Sequence, residues 1–227
     1  MKKIRNNISL VSLHIPKTAG TSFRLVLKEN VDPKHFAKLD IFPSGRIHTN
    51  DQYTIQRKFP ENVRVIHGHF SYFMLCEYFE LDPGTEFITW LRDPVQRVLS
   101  NYFFLKGVVA DRLQEGPDEN LFPRIGKTLL EFIACAENQN VMSKFLKGAQ
   151  LHRFKFIGIQ DHYAADLLDL KKMMSWSKGG SEVHNETNHK TLALDEDVLE
   201  EIRRVNVHDM ALFQEAMELR NKRRNRP

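Results

Sequence analysis

The side chains most able to do chemistry fall in three short stretches. In the first, Pro16, Lys17, Thr18, Ala19, Gly20, Thr21, Ser22 and Phe23 bring together one cation, three hydroxyls and a glycine. An apolar run over residues 8–15 precedes them, and a helix-like run over 23–28 follows. A strand, a tight basic turn and a helix start, in that order, make a cradle for an anion. The first-turn amides of a helix have no partner within it, and its dipole leaves partial positive charge there. Gly20 lets the backbone approach a ligand, Thr18, Thr21 and Ser22 offer hydroxyl donors, and Lys17 adds a full charge. The expected ligand is phosphorylated. A plain turn capped by Thr and Ser is the competing reading, and it leaves the Pro-Lys-Thr-x-Gly grouping unaccounted for.

The second stretch is His67-Gly68-His69-Phe70-Ser71. On an extended segment alternate side chains share a face, which makes the two histidines neighbours. A histidine near its reference pKa accepts a proton from a hydroxyl at neutral pH. Structural histidines are the alternative, and a metal site lacks a third ligand at suitable spacing. The third stretch begins Trp90-Leu91-Arg92-Asp93-Pro94 and continues through Arg97 and Ser100 to Phe104. At a strand end, the fork of Arg92 can grip a phosphate, with Ser100 about two helical turns further on. Arg92 could equally pair with Asp93 or another acid.

The first stretch is not the usual nucleotide-triphosphate loop, which reads G-x-x-x-x-G-K-[ST]. Here Lys17 precedes the turn's only glycine, and no G-K-[ST] follows in that turn. An ATP-dependent kinase with a P-loop-like fold is the enzymatic rival, and the missing G-K-[ST] counts against it. A non-catalytic module that binds anionic glycans is the second rival, and it would need a basic cleft but no histidine pair.

These residues need a scaffold. Apolar β-type runs recur at 8–15, 63–66, 87–91 and 154–159, with helical stretches between them. That alternation predicts an α/β fold, a parallel sheet covered by helices on both faces. A helix is expected over 94–106, with Asp93 as cap, Pro94 in its first position and Gly107 as its stop. Val95, Leu99, Tyr102 and Phe103 form its apolar stripe. Residues 107–126 read as a long loop, of the kind that serves as a lid or binding segment. Further helices are expected over 127–136, 162–174 and 195–220, the last bent or split. A flexible turn over 177–181 introduces a polar segment over 183–191.

With 227 residues, the chain suits one well-buried α/β domain over 1–227, and its net charge of +4 is partly local to a basic tail at 220–227. That tail reads as a solvated, frayed helix end, or as an anchor for an acidic partner or membrane surface. Two cysteines without metal spacing suit a reducing compartment. No run is long and apolar enough to span a bilayer, and no signal-peptide core follows the start, so a cytoplasmic location is expected. Nucleic-acid binding is disfavoured, since no basic-aromatic stripe lies outside the tail.

In their order, the three stretches resemble the sulfotransferases that use 3′-phosphoadenosine 5′-phosphosulfate (PAPS). The likeness is strongest to the type-2 branch, which contains the 2-O-sulfotransferases of heparan and related glycans, and it covers most of the chain. The resemblance implies a P-loop-NTPase-like parallel sheet flanked by helices and a 5′-phosphosulfate loop formed by Pro16 to Phe23. It implies a 3′-phosphate site at Arg92 and Ser100, and a lysine beside the transferred sulfonate at Lys17. His69 corresponds to the family's base, with His67 as its neighbour in the active site. Asn185-Glu186-Thr187 is similar to the family's loop near the adenosine. The product would be 3′,5′-ADP, the acceptor a hydroxyl on a glycan or glycoconjugate, and the chemistry metal-independent. Residues 156–161 resemble the strand that follows the family's acceptor region. Residues 140–148 resemble a stretch that often carries Gln and Arg where this chain has Met142 and Lys144.

Overall fold

The computed structural model describes residues 3–42, 44–50, 52–53, 59–115, 127–180 and 195–225. Seven strands form one sheet in the order β4-β3-β2-β5-β1-β6-β7. The strands are β1 (Leu10–Leu13), β2 (Phe36–Ile41), β3 (Ile47–Thr49), β4 (Gln52–Tyr53), β5 (Val65–Gly68), β6 (Glu86–Leu91) and β7 (Phe156–Ile159). The five from β2 to β7 in that order run parallel, while β3 and β4 add an antiparallel edge. β1 lies between β5 and β6, and every one of its residues is buried, as expected of a strand covered on both faces.

The strand alternation sorts the core into two layers. On one face Val11, Leu13, Leu39, Ile66, Leu91 and Ile159 pack with Leu75 of α2 (Tyr72–Tyr78) and Ala216 of α8 (Val207–Arg224). On the other, Leu10, Val65, Ile88 and Trp90 meet Phe23 and Leu27 of α1 (Gly20–Asn30) and Leu167 of α6 (Tyr163–Met174). A third cluster joins Val95, Val98 and Leu99 of α3 (Pro94–Glu115) to Phe132 of α4 (Leu129–Ala134) and Ile202 of α7 (Glu196–Val205). Tyr102 and Phe103 lie against that cluster, so the expected stripe of α3 is the one it buries. Between α4 and β7, the short α5 (Val141–Phe145) is held by Asp209, whose carboxylate accepts from the Met142 and Ser143 amides.

Strands β1 and β7 fall within their apolar runs, β5 and β6 overlap theirs with shifted bounds, and the final helical stretch is split at Asn206. Three expectations are corrected. Gly107 does not stop α3, which continues to Glu115, so residues 107–115 are helix rather than loop. A side chain at Gly107 would meet nothing within 4 Å, and one glycine costs a helix only about 1 kcal/mol. The remaining 116–126 lie outside the described residues. The supposed frayed tail is helical to Arg224, and Arg220 is 8% exposed, with its Nε 2.8 Å from the wholly buried Asp166. Finally, β2 to β4 were not anticipated, because Lys38 and Asp40 interrupt the apolar pattern of β2.

Candidate functional site

The three chemical stretches leave the carboxyl ends of three adjacent strands: His14 onward from β1, His69 from β5 and Arg92 from β6. Ligands bind at this end of open parallel sheets. Lys17 and Ala19 both have left-handed backbone, with φ of 69° and 71°, which folds the connection into a tight turn. The Thr18 hydroxyl is buried and donates to the Ile15 carbonyl at 2.8 Å, so it pins the turn. Ser22 is buried too, whereas Pro16, Lys17 and Thr21 are partly exposed. Phe23 anchors the helix start in the core. α1 has no side-chain cap and no acid in its first turn, which leaves its positive end open to an anion.

Gly20 has a different role from the one its position first suggests. A Cβ there would fall 1.8 Å from the His14 ring, so the glycine makes room for that imidazole. His14 stacks on both other histidines, with ring centroids 4.9 Å from His67 and 4.1 Å from His69. His67 is paired in register with Ser12, and its Nδ1 lies 2.9 Å from the Ser12 hydroxyl in a buried hydrogen bond. Phe23 packs its ring edge against it. Burial pushes the His67 pKa down to about 3, so this ring is neutral. Gly68 between the pair is obligatory as well, since a Cβ would lie 1.7 Å from the Leu39 carbonyl of neighbouring β2.

His69 is only partly buried. Its amide donates to Asp40 Oδ1 at 2.8 Å, and its Nδ1 lies 2.9 Å from the His14 carbonyl. A carbonyl can only accept, so Nδ1 carries the proton and Nε2 of the neutral ring is left with a lone pair. Burial holds the His69 pKa below the ordinary imidazole range, with Asp40 and the His14 carbonyl pulling the other way. Lys38, 3.3 Å from Asp40, and Arg24 add to the lowering.

Arg92 sits directly after β6, and its Nε is buried without a hydrogen-bond partner among the described residues. Asp93 does cap α3, accepting from the Gln96 amide at 2.9 Å, and Pro94 opens the helix. Ser100 is 2% exposed on the same helix. Burial lowers the Lys17 pKa first, and the Arg92 cation lowers it further. Asn185 lies outside the described residues.

Several contributors were not anticipated. His14 could have been suspected from its place at the end of the first apolar run. Arg24, Lys38 and Asp40 had no sequence signal, because α1 and β2 are brought to the histidines only by the fold. Met142, in contrast, is wholly buried in the core, and Lys144 donates to the Ala136 carbonyl, so both departures from the resembled pattern do structural work.

No curated protein sequence matches this chain. Among solved structures, the mouse sulfotransferase SULT7A1 complexed with PAP is similar at 15% identity and a TM-score of 0.41, covering 89% of this chain. This chain spans 62% of that structure's length. The family description "Sulfotransferase family" matches residues 3–214, a span that includes the turn after β1, the histidines after β5 and the arginine after β6. By that match the chain belongs to the sulfotransferase family.

Proposed function

We propose that the protein transfers a sulfuryl group from PAPS to an acceptor hydroxyl, with a saccharide as the acceptor class, releasing 3′,5′-ADP. The observation that carries this reading is the convergence of an uncapped helix start, a neutral histidine with an unprotonated Nε2 and a half-buried arginine whose buried Nε has no partner among the described residues, on three adjacent strands. The unpartnered Arg92 Nε and the open end of α1 fit a ligand with two separate anionic groups.

PAPS, when bound, supplies an activated sulfonate and a diphosphorylated leaving group. Arg92 and Ser100 hold the 3′-phosphate, which distinguishes PAPS from ATP. The amides from Ala19 to Phe23, with Thr21 and Ser22, hold the 5′ end. Asn185 is assigned to the adenosine by sequence resemblance. Lys17 stabilises negative charge on the bridging oxygen as the sulfur bond breaks, and this lysine charge takes the place of a metal ion. His69 Nε2 takes the proton from the acceptor hydroxyl. His67, locked to Ser12, and His14 hold His69 in place from behind.

The test is transfer of radiolabel from PAPS to a panel of glycans, alongside thermal-shift binding of 3′,5′-ADP. The wild type should label an acceptor and be stabilised by 3′,5′-ADP. His69→Ala should keep the stabilisation and lose turnover by roughly 10²–10⁴-fold. Stabilisation by ATP–magnesium but not by 3′,5′-ADP would overturn the reading in favour of a kinase.

A further inference from the structure

Lys17 stands against an aromatic ring of α3. Its Nζ lies 3.9 Å from the centroid of the Phe104 ring, close enough for a cation–π contact. Among the described residues no ion pair includes Lys17. Burial and the Arg92 cation both oppose its charge, and the aromatic face is the group seen to favour it. Phe104 follows Ser100 by four positions, so the two share one side of α3, while Leu99, Tyr102 and Phe103 turn toward α4 and α7. A side chain this apolar is normally covered, yet Phe104 is 46% exposed.

We propose that Phe104 is a positioning residue: its ring holds the Lys17 ammonium in place between the 16–23 turn and α3, ready to face the bridging oxygen. The inference rests on the sulfuryl-transfer reading and assigns a role to a residue that the reading leaves idle. Lysine has a long stem and many rotamers, and ordering it only in the transition state would slow the reaction. The ring occupies one side of the ammonium and leaves N–H groups on the other side for the donor. The left-handed backbone of Lys17 fixes the direction of its stem, and the ring fixes its end. Since the helix amides and Arg92 bind the phosphates independently, losing the ring should reduce kcat and leave donor KM nearly unchanged.

The experiment compares Phe104→Leu and Phe104→Tyr with wild type, using ¹³C-lysine-labelled protein for NMR and PAPS turnover for kinetics. Lys17→Arg assigns the Lys17 resonance. In the wild type the Lys17 Cε–H signal should be shifted upfield by the ring current. Phe104→Leu should abolish that shift and lower kcat by on the order of tenfold, with donor KM and 3′,5′-ADP affinity within about twofold. Phe104→Tyr should restore both the shift and the rate. A wild type without the upfield signal, or a Phe104→Leu variant that transfers sulfate as fast as or faster than wild type, would overturn the positioning role alone. A wild type that neither transfers sulfate nor binds 3′,5′-ADP would overturn the reading beneath it.

Discussion

A single absent methyl group decides how the histidines are arranged. Gly20 is the first residue of α1, where alanine would favour the helix by about 1 kcal/mol. The His14 ring stands where that methyl would go, at a distance that real atoms do not tolerate. Overpacking of this kind typically costs about 1–3 kcal/mol, so Gly20→Ala should be destabilising on balance. Calorimetry should show its Tm several degrees below wild type, at roughly 2–4 °C per kcal/mol for a chain of this size. If the displaced ring also disturbs His69, turnover should fall further than the loss of folded protein explains.

The pH dependence follows from the same cluster. Around His69, burial, Lys38 and Arg24 oppose its protonation, while Asp40 and the His14 carbonyl favour it. A base must be unprotonated, and lowering its pKa keeps it so into mildly acidic solution. The acid limb of kcat/KM should therefore lie below pH 6.5, with activity lost as pH falls through it. A pH–rate profile with its limb above that value would contradict the assignment. Of the proposed site residues, Lys17, His67, His69 and Arg92 were readable in the sequence because each lies within a few residues of a strand end, and Ser100 because it stands about two helical turns along α3 from there. His14 was in view but had no assigned role, since ring stacking leaves no mark on spacing.

Among the elements, α3 links the proposed 3′-phosphate contacts to the ring beneath Lys17. It passes through Gly107 without a break. Because a Cβ there meets nothing, Gly107→Ala should stabilise the protein by about 0.5–1 kcal/mol, read as a higher midpoint in urea with an unchanged slope. An unchanged or lower midpoint would show that the helix needs the glycine. Sequence reasoning ended the helix there because a glycine after an apolar stripe commonly marks a C-cap. That rule gives way where the following residues can themselves continue the helix. The strands show the complementary effect. β1 and β5 to β7 carry apolar runs because both faces are covered, whereas β2 carries Lys38 and Asp40 beside the histidines and reads as loop.

Across the whole molecule, the last helix is bound back to the sheet. Asp166, wholly buried, accepts the Ile159 amide at 2.9 Å and the Arg220 guanidinium at 2.8 Å, while Arg223 lies 4.0 Å over the Phe156 ring. Without Arg220, Asp166 keeps only the longer 3.7 Å ion pairs to Arg223 and Arg224, so the cost should be below the about 3–5 kcal/mol of a fully unpaired buried charge. Arg220→Met should lower Tm accordingly, and adding Asp166→Leu should recover part of the loss, with the Ile159 amide still unpaired. If the single variant melts like wild type, the tail is ornamental after all. Composition had suggested just that, because a run of basic residues at a chain end looks solvated until its acidic partner is located 54 positions away.

The central place of β1 also bears on how the molecule is born. It is made before the other strands of this sheet, yet its contacts run to residues 55 and 76 positions later, at His67 and Thr89. At typical synthesis rates of about 5–20 residues per second, Thr89 follows Leu13 by roughly 4–15 s. Through that interval a growing chain carries Lys17 without Arg92, which is made only after Thr89. The pairing that aligns them is long-range and therefore slow to form. A truncated or stalled product thus has the cradle's residues and no instrument, and the proposed capacity for transfer arrives only when β6 closes on β1.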